Sequence, residues 1–111
     1  MKVTTLSIPD ILLIEPKVFR DDRGFFFESF NQEDFENETN LAPIFVQENH
    51  SKSSKGTLRG LHYQLPPKTQ DKLVRVIQGE IFDVVVDIRK RSSTFGHWVG
   101  EMLSDNNKKQ I

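Results

Sequence analysis

The chain has 111 residues, 36% of them hydrophobic and 28% charged, which suffices for one small domain with a single core and is too short for two ordinary ones. Its 15 Lys and Arg against 16 Asp and Glu leave a formal net charge of -1, so no overall field draws in nucleic acid or an acidic membrane, and any bound anion has to be held locally. The absence of cysteine excludes disulfides, thiolate metal sites and a cysteine nucleophile and fits a cytoplasmic location, while the apolar run Ile11 to Ile14 is too short for a signal-peptide core or a membrane span.

Taken in order, Ile11 to Phe19 is rich in β-formers but contains Pro16, which cannot donate to a ladder, so an edge strand or a broken strand is expected. Arg20 to Gly24 reads as a turn. Phe25 to Phe30 is short and aromatic, the pattern of a strand between two apolar layers, with Phe25, Phe26 and Phe27 assigned to the core. Asn31 suits a helix N-cap, and Gln32 to Glu38 combines acidic residues for a first turn with Phe35 as apolar anchor, which predicts the one short helix.

Ile44 to Asn49 is a further strand candidate, followed by a solvated Ser/Lys loop at Ser51 to Lys55 and a strand over Gly56 to Gln64. Leu65-Pro66-Pro67-Lys68 interrupts it. Lys72 to Ile77 and Ile81 to Arg89, joined at Gly79-Glu80, are expected to form a hairpin. In its second arm Phe82, Val84, Val86 and Ile88 would make a dry face, and Ile81, Asp83, Val85, Asp87 and Arg89 a mixed one. His97 to Leu103 is another strand, Ser104 to Lys109 a polar turn, and Gln110-Ile111 the opening of a strand whose neighbour a partner subunit would cover. Short strands separated by turns, without repeats, indicate a mostly β, antiparallel sandwich or barrel in a single domain over residues 1–111.

The chemistry concentrates in Gly56 to Gln64, where Arg59, Gly60 and His62 stand in an apolar run. Imidazole titrates near neutrality, so His62 is a candidate general base, against the more common structural role of an isolated histidine. Arg59 and Arg23 present planar donor forks that suit phosphates or, equally, surface ion pairs. Lys72 offers an ammonium for an oxyanion, or simply an exposed strand end. Strict alternation puts Arg59 and His62 on opposite faces; a bulge at Gly60 would bring them to one. Gln47 and Asn49, two apart, share a face and present amides to a base or sugar edge. His50, His62 and His97 show no paired spacing, so no metal site is expected, and no phosphate loop or dinucleotide fingerprint is present.

The motifs Phe19-Arg20-Asp21-Asp22-Arg23-Gly24-Phe25-Phe26-Phe27-Glu28, Phe45 to Asn49, Gly56 to Gln64, Lys72 to Val76 and Gly79 to Val84 resemble, in order and spacing, those of the dTDP-4-dehydrorhamnose 3,5-epimerase family. The resemblance implies a cupin-like jelly roll whose C-terminal strands are missing here. It also implies action on a dTDP-4-keto-6-deoxy sugar in dTDP-L-rhamnose synthesis, with neither metal nor redox cofactor. Carried over, His62 is the proton-abstracting base and Lys72 the enolate stabiliser. Arg59 and Arg23 hold the diphosphate, and Glu28, Gln47 and Asn49 contact the nucleotide. Family members are homodimers that exchange N-terminal strands, so Arg23 and Glu28 would serve a partner's pocket. The family's tyrosine acid and the acidic residue that orients its histidine lie past the position of Ile111, and the one tyrosine here, Tyr63, is given no acid role. The competing reading is a truncated, non-catalytic dTDP-sugar-binding or interaction module.

Overall fold

The computed structural model describes residues 1–111 and contains six short strands and one helix: β1 (Lys2–Thr5), β2 (Leu12–Glu15), β3 (Phe19–Asp21), β4 (Gly24–Phe26), α1 (Gln32–Thr39), β5 (Glu80–Val86) and β6 (Trp98–Ser104). They form three antiparallel pairs, β1 with β2, β3 with β4 and β5 with β6. Two compact units result, one of residues 1–42 and 73–111 and one of residues 43–72.

In the first unit β2 ends at Glu15, one residue before Pro16, as the missing N–H of proline requires. The N-terminal strand β1, which carries no strong sequence signal, pairs with it from Lys2 opposite Glu15 to Thr5 opposite Leu12. Helix α1 starts at its expected cap: Asn31 accepts from the Asp34 amide at 3.2 Å, Glu33 and Asp34 occupy the first turn, and Phe35 is buried. Asn40 closes it in the left-handed region at φ 56°.

The expected hairpin partner of β5 is corrected. Lys72 to Ile77 does not pair with it; β6 does, in register from Glu80 opposite Ser104 to Val86 opposite Trp98. The open end is locked by the Asp105 carboxylate, which accepts from the Gly79 amide at 2.9 Å, while the Asp105 amide donates to the Gly79 carbonyl at 3.0 Å. The expected split into a dry and a mixed face is not kept, since Val84, Val85 and Val86 are all half-buried. Val85 packs against the core of Leu13, Leu103 and Ile111, whereas Phe82 and Ile88 on the supposedly dry face are exposed. Phe82 instead lies across Gly100 of β6, where an added Cβ would stand 2.4 Å from the ring.

Residues 73–76 join this unit through the chain's last two residues. Gln110 exchanges both backbone hydrogen bonds with Ile14 (2.8 and 2.9 Å), and Ile111 exchanges both with Val74 (2.8 and 3.1 Å). Gln110 is buried and its side-chain amide donates to the Ser29 carbonyl at 2.8 Å.

The β5–β6 connection winds around Asp87. This buried carboxylate accepts from the amide and Nε of Arg89 (3.0 and 2.9 Å), the Arg89 terminal nitrogen (2.9 Å), Ser92 Oγ (2.5 Å) and Thr94 Oγ1 (2.6 Å), and Arg89 reaches on to Asp10. Burial of a carboxylate is sustained only by such a full donor set.

The strands expected over Ile44–Asn49 and Gly56–Gln64 do not form. Residues 44–72 include no ladder and every one of them is exposed, with Val46 and Leu58 at 88% and 90%. Extended propensity becomes a strand only when a neighbour supplies the other half of the hydrogen bonds. The core assignment of Phe25 and Phe26 is corrected likewise: β3 and β4 pair only with each other, and both rings are exposed.

The Arg89 side chain first, then Ser92 and Thr94, hold the Asp87 carboxyl far below the usual carboxylate range. A depressed folded-state pKa contributes stability that is complete above the unfolded pKa of about 4 and drains away as the pH falls below it. Thermal melts followed by circular dichroism should therefore show a steep loss of Tm from pH 4 to pH 2. Asp87→Asn should lie several degrees lower at pH 7 and flatten that acid limb.

Candidate functional site

The seven candidate residues divide between the units. Arg23 and Glu28 belong to the first, and Gln47, Asn49, Arg59, His62 and Lys72 to the second.

Arg23 stands in the two-residue turn that joins β3 to β4, between Asp21 and Gly24, which are paired across the ladder. Its amide donates to Asp21 Oδ1 at 2.9 Å, and its Nε and a terminal nitrogen donate to Asp21 Oδ2 at 3.1 and 2.5 Å. The ordinary surface ion pair weighed for Arg23 is thus present, and that side-chain hydrogen bond lowers the Asp21 pKa. The carboxylate uses one edge of the guanidinium and sets its plane, leaving the remaining terminal nitrogen for another anion. Glu28 lies beyond β4, on the wall of a cleft of about 310 Å³ that it shares with Phe19, Phe26, Asp34 and Gln110. The Gln110 Oε1 is a buried acceptor without a hydrogen-bond partner.

In the second unit Gln47 and Asn49 lie together as their spacing predicts, the Gln47 Nε2 donating to Asn49 Oδ1 at 3.0 Å although no strand sets their parity. Arg59 folds back on the Ser/Lys loop, giving Nε to Ser53 Oγ at 2.9 Å and a terminal nitrogen to the Lys52 carbonyl at 3.5 Å. These are neutral acceptors, so the guanidinium charge is not cancelled by an acid.

The bulge expected at Gly60 has no ladder to interrupt, so it is replaced by another irregularity. Gly60 adopts φ 109°, outside the range that side-chain-bearing residues favour, and the Gly60–Leu61 peptide is cis. His62 turns back against it: a Cβ at Gly60 would lie 3.7 Å from His62 Cε1 and 3.8 Å from Nε2. Arg59 and His62 therefore follow different local partners, rather than sharing a strand face. Lys72 is exposed at the end of this unit, before the bridge that Arg75 makes with Gln110.

Three partners were not foreseen from sequence: Asp21 for Arg23, Ser53 for Arg59, and the whole Asp87 cluster. An aspartate two residues before an arginine across a turn is a readable signal for the first, because its carboxylate reaches the turn amide as well as the guanidinium. No comparable spacing announces Ser53.

The second unit carries an imidazole, an ammonium, a guanidinium fork and a pair of amides, residue types suited to a base, an oxyanion stabiliser and an anion clamp, and the first unit carries a further guanidinium fork and a carboxylate. The sequence model of the dTDP-4-dehydrorhamnose 3,5-epimerase family matches residues 5–111. A protein of that name from Shigella flexneri is 62% identical over 111 residues, covering 100% of this chain and 61% of its own length. Among solved structures, the Bacillus anthracis dTDP-4-dehydrorhamnose 3,5-epimerase with TDP and PPi bound superposes with a TM-score of 0.93 at 48% identity, covering 98% of this chain and 62% of that one. The Legionella pneumophila dTDP-6-deoxy-D-glucose-3,5-epimerase in complex with dTDP-4-keto-L-rhamnose gives 0.93 at 51% identity, with 98% and 57% covered. The chain thus spans about 61% of the length of the Shigella flexneri protein, and its fold class is that of these relatives, a mostly β, cupin-like jelly roll.

Because Gly60 holds a positive φ against which the His62 ring rests, an alanine there is strained by about 1–3 kcal/mol even though its methyl meets only ordinary contacts. Gly60→Ala should shift the His62 ring resonances, read by nuclear magnetic resonance, while leaving the β5–β6 amides in place.

Proposed function

Because this chain belongs to the dTDP-4-dehydrorhamnose 3,5-epimerase family, we propose that it works as a partial cupin-like domain in the epimerisation of a dTDP-4-keto-6-deoxy sugar, at the carbons flanking the ketone. The observation that supports this reading most is a match of 62% identity whose span covers all 111 residues, and so includes every candidate position.

In the proposed mechanism the neutral His62 imidazole removes the proton from a carbon next to the ketone. The C–H electron pair becomes the C=C bond of an enolate, and the carbonyl π pair moves onto oxygen, where the Lys72 ammonium stabilises it. Return of a proton to the opposite face from a solvent water, whose hydroxide then takes the proton held by the His62 imidazolium, inverts the centre, and the same sequence at the second flanking carbon inverts that one. The oxygen charge that develops is what an ammonium stabilises more in the transition state than in the ketone.

Arg59 and Arg23 hold the diphosphate. Arg59 suits this because its present acceptors are a hydroxyl and a carbonyl, which a phosphate oxygen outcompetes through charge. Arg23 suits it because Asp21 fixes the guanidinium while leaving donors over. Gln47 and Asn49, already hydrogen-bonded to each other, present a joined amide edge to the nucleotide, and Glu28 adds an acceptor. The active assembly in this proposal is a cytoplasmic homodimer with exchanged N-terminal strands, so that Arg23 and Glu28 act in the partner's pocket.

Deuterium wash-in tests the reading. Incubation of dTDP-4-keto-6-deoxyglucose with the 111-residue chain in heavy water should label the carbons beside the ketone, detected by mass spectrometry. His62→Asn should slow labelling by about 10²–10⁴-fold, and Lys72→Met by about 10²–10³-fold. Retained dTDP binding without any labelling would contradict the enzymatic reading and leave a dTDP-sugar-binding module.

A further inference from the structure

The β3–β4 hairpin that carries Arg23 has little of its own to hold it. Each arm is three residues long, all six residues are exposed, and the two strands form a sheet with no third member. An isolated two-stranded hairpin of this kind is marginal in water. Besides the Asp21–Arg23 pair and its own Arg20, whose guanidinium lies 5.8 Å from the Phe25 centroid, it has a cation from outside set over its aromatic arm. The Lys108 ammonium lies 3.9 Å from the centroid of Phe25 and 6.0 Å from that of Phe27, and these two rings stack 6.0 Å apart.

Lys108 is delivered from a stiff platform. It follows β6 in a turn where Asn107 Oδ1 accepts from the Ser104 and Lys109 amides (both 3.0 Å), and Asn107 Nδ2 donates to the Met102 carbonyl at 2.8 Å. The Lys108 backbone itself takes the left-handed region at φ 57°, with its amide on the Ser104 carbonyl at 3.0 Å. Its neighbour Lys109 points to Glu101 at 3.7 Å, whereas the Lys108 ammonium faces the rings.

We infer that Lys108 is a positioning residue: its ammonium clamps the Phe25 face of the hairpin to the turn after β6 and thereby fixes where Arg23 is presented. The consequence for ligand rests on the reading of Arg23 as a diphosphate donor; the clamp itself does not. A cation–π contact on an exposed ring is a weak tie, and here its cost in ordering is lowered by Asn107, since the turn is hydrogen-bonded before the lysine reaches out.

The test uses the 111-residue chain with Lys108→Met and Lys108→Arg, followed by residue-resolved amide exchange and by titration with dTDP. Lys108→Met should speed exchange of the β3 and β4 ladder amides about two- to fivefold and weaken dTDP by a similar factor, with β5 and β6 unchanged. Lys108→Arg should restore both, because a guanidinium also stacks on an aromatic face. Unchanged hairpin exchange in Lys108→Met, or equal acceleration in β5 and β6, would overturn the clamp. Arg23→Ala supplies the control: if it leaves dTDP affinity unaltered, the diphosphate reading of Arg23 fails, while the exchange data still decide for or against Lys108.

Discussion

Gln110 and Ile111 are the closure on which the first unit depends. Their backbones make four hydrogen bonds, two with Ile14 on β2 and two with Val74, so segments from three distant parts of the sequence meet at one buried pair. Ile111 joins Leu13 and Leu103 in the core, with Leu6, Ile11, Val74, Val76 and Val85 packed around them. Leu103 is fully buried, and losing such a side chain ordinarily costs about 2–5 kcal/mol. The core is small, so a backbone seam through it, where unpaired groups would be expensive, fixes which residues face inward. Gln110 extends the seam to Ser29, at the foot of α1.

Around that seam the sequence was readable wherever a local rule decides the structure. Pro16 ends β2, Asn31 caps α1 with Phe35 as its anchor, and the strand over His97 to Leu103 appears one residue later as β6. It was unreadable where the answer depends on a neighbour. Lys72 to Ile77 and β6 are both extended and apolar, and nothing in either announces which one pairs with β5; the Gly79–Asp105 lock decides it. Alternation alone also cannot say which face of β5 is inward: Asp87 on that face is tolerated because five donors converge on it from Arg89, Ser92 and Thr94.

The candidate site shows the same division. Residue types and their chemistry were legible, since an imidazole, an ammonium and guanidinium forks announce themselves, and the two-residue spacing of Gln47 and Asn49 was enough to bring their amides together. Side-chain direction was not. It was inferred from strand parity, and residues 44–64 have no ladder to impose parity. Gly60 governs instead, through a backbone conformation that lays the His62 ring back along the chain, while Ser53 draws Arg59 toward the preceding loop. In both units the proposed anion clamps are oriented by an oxygen a few residues upstream, Asp21 for Arg23 and Ser53 for Arg59.

Those two oxygens differ in a way that bears on the proposed function. Asp21 already neutralises much of the charge on Arg23, whereas the Arg59 guanidinium meets only a hydroxyl and a carbonyl and keeps its full attraction for phosphate. On the proposed reading, therefore, Arg59 and the nearby amides are the primary determinants of nucleotide capture within this chain. A nuclear magnetic resonance titration of the 111-residue protein with dTDP tests this directly. The account predicts that the Arg59 Nε–H and the Gln47 and Asn49 side-chain amide signals shift together along one saturating curve; the absence of any shift at these three residues at millimolar dTDP would contradict it.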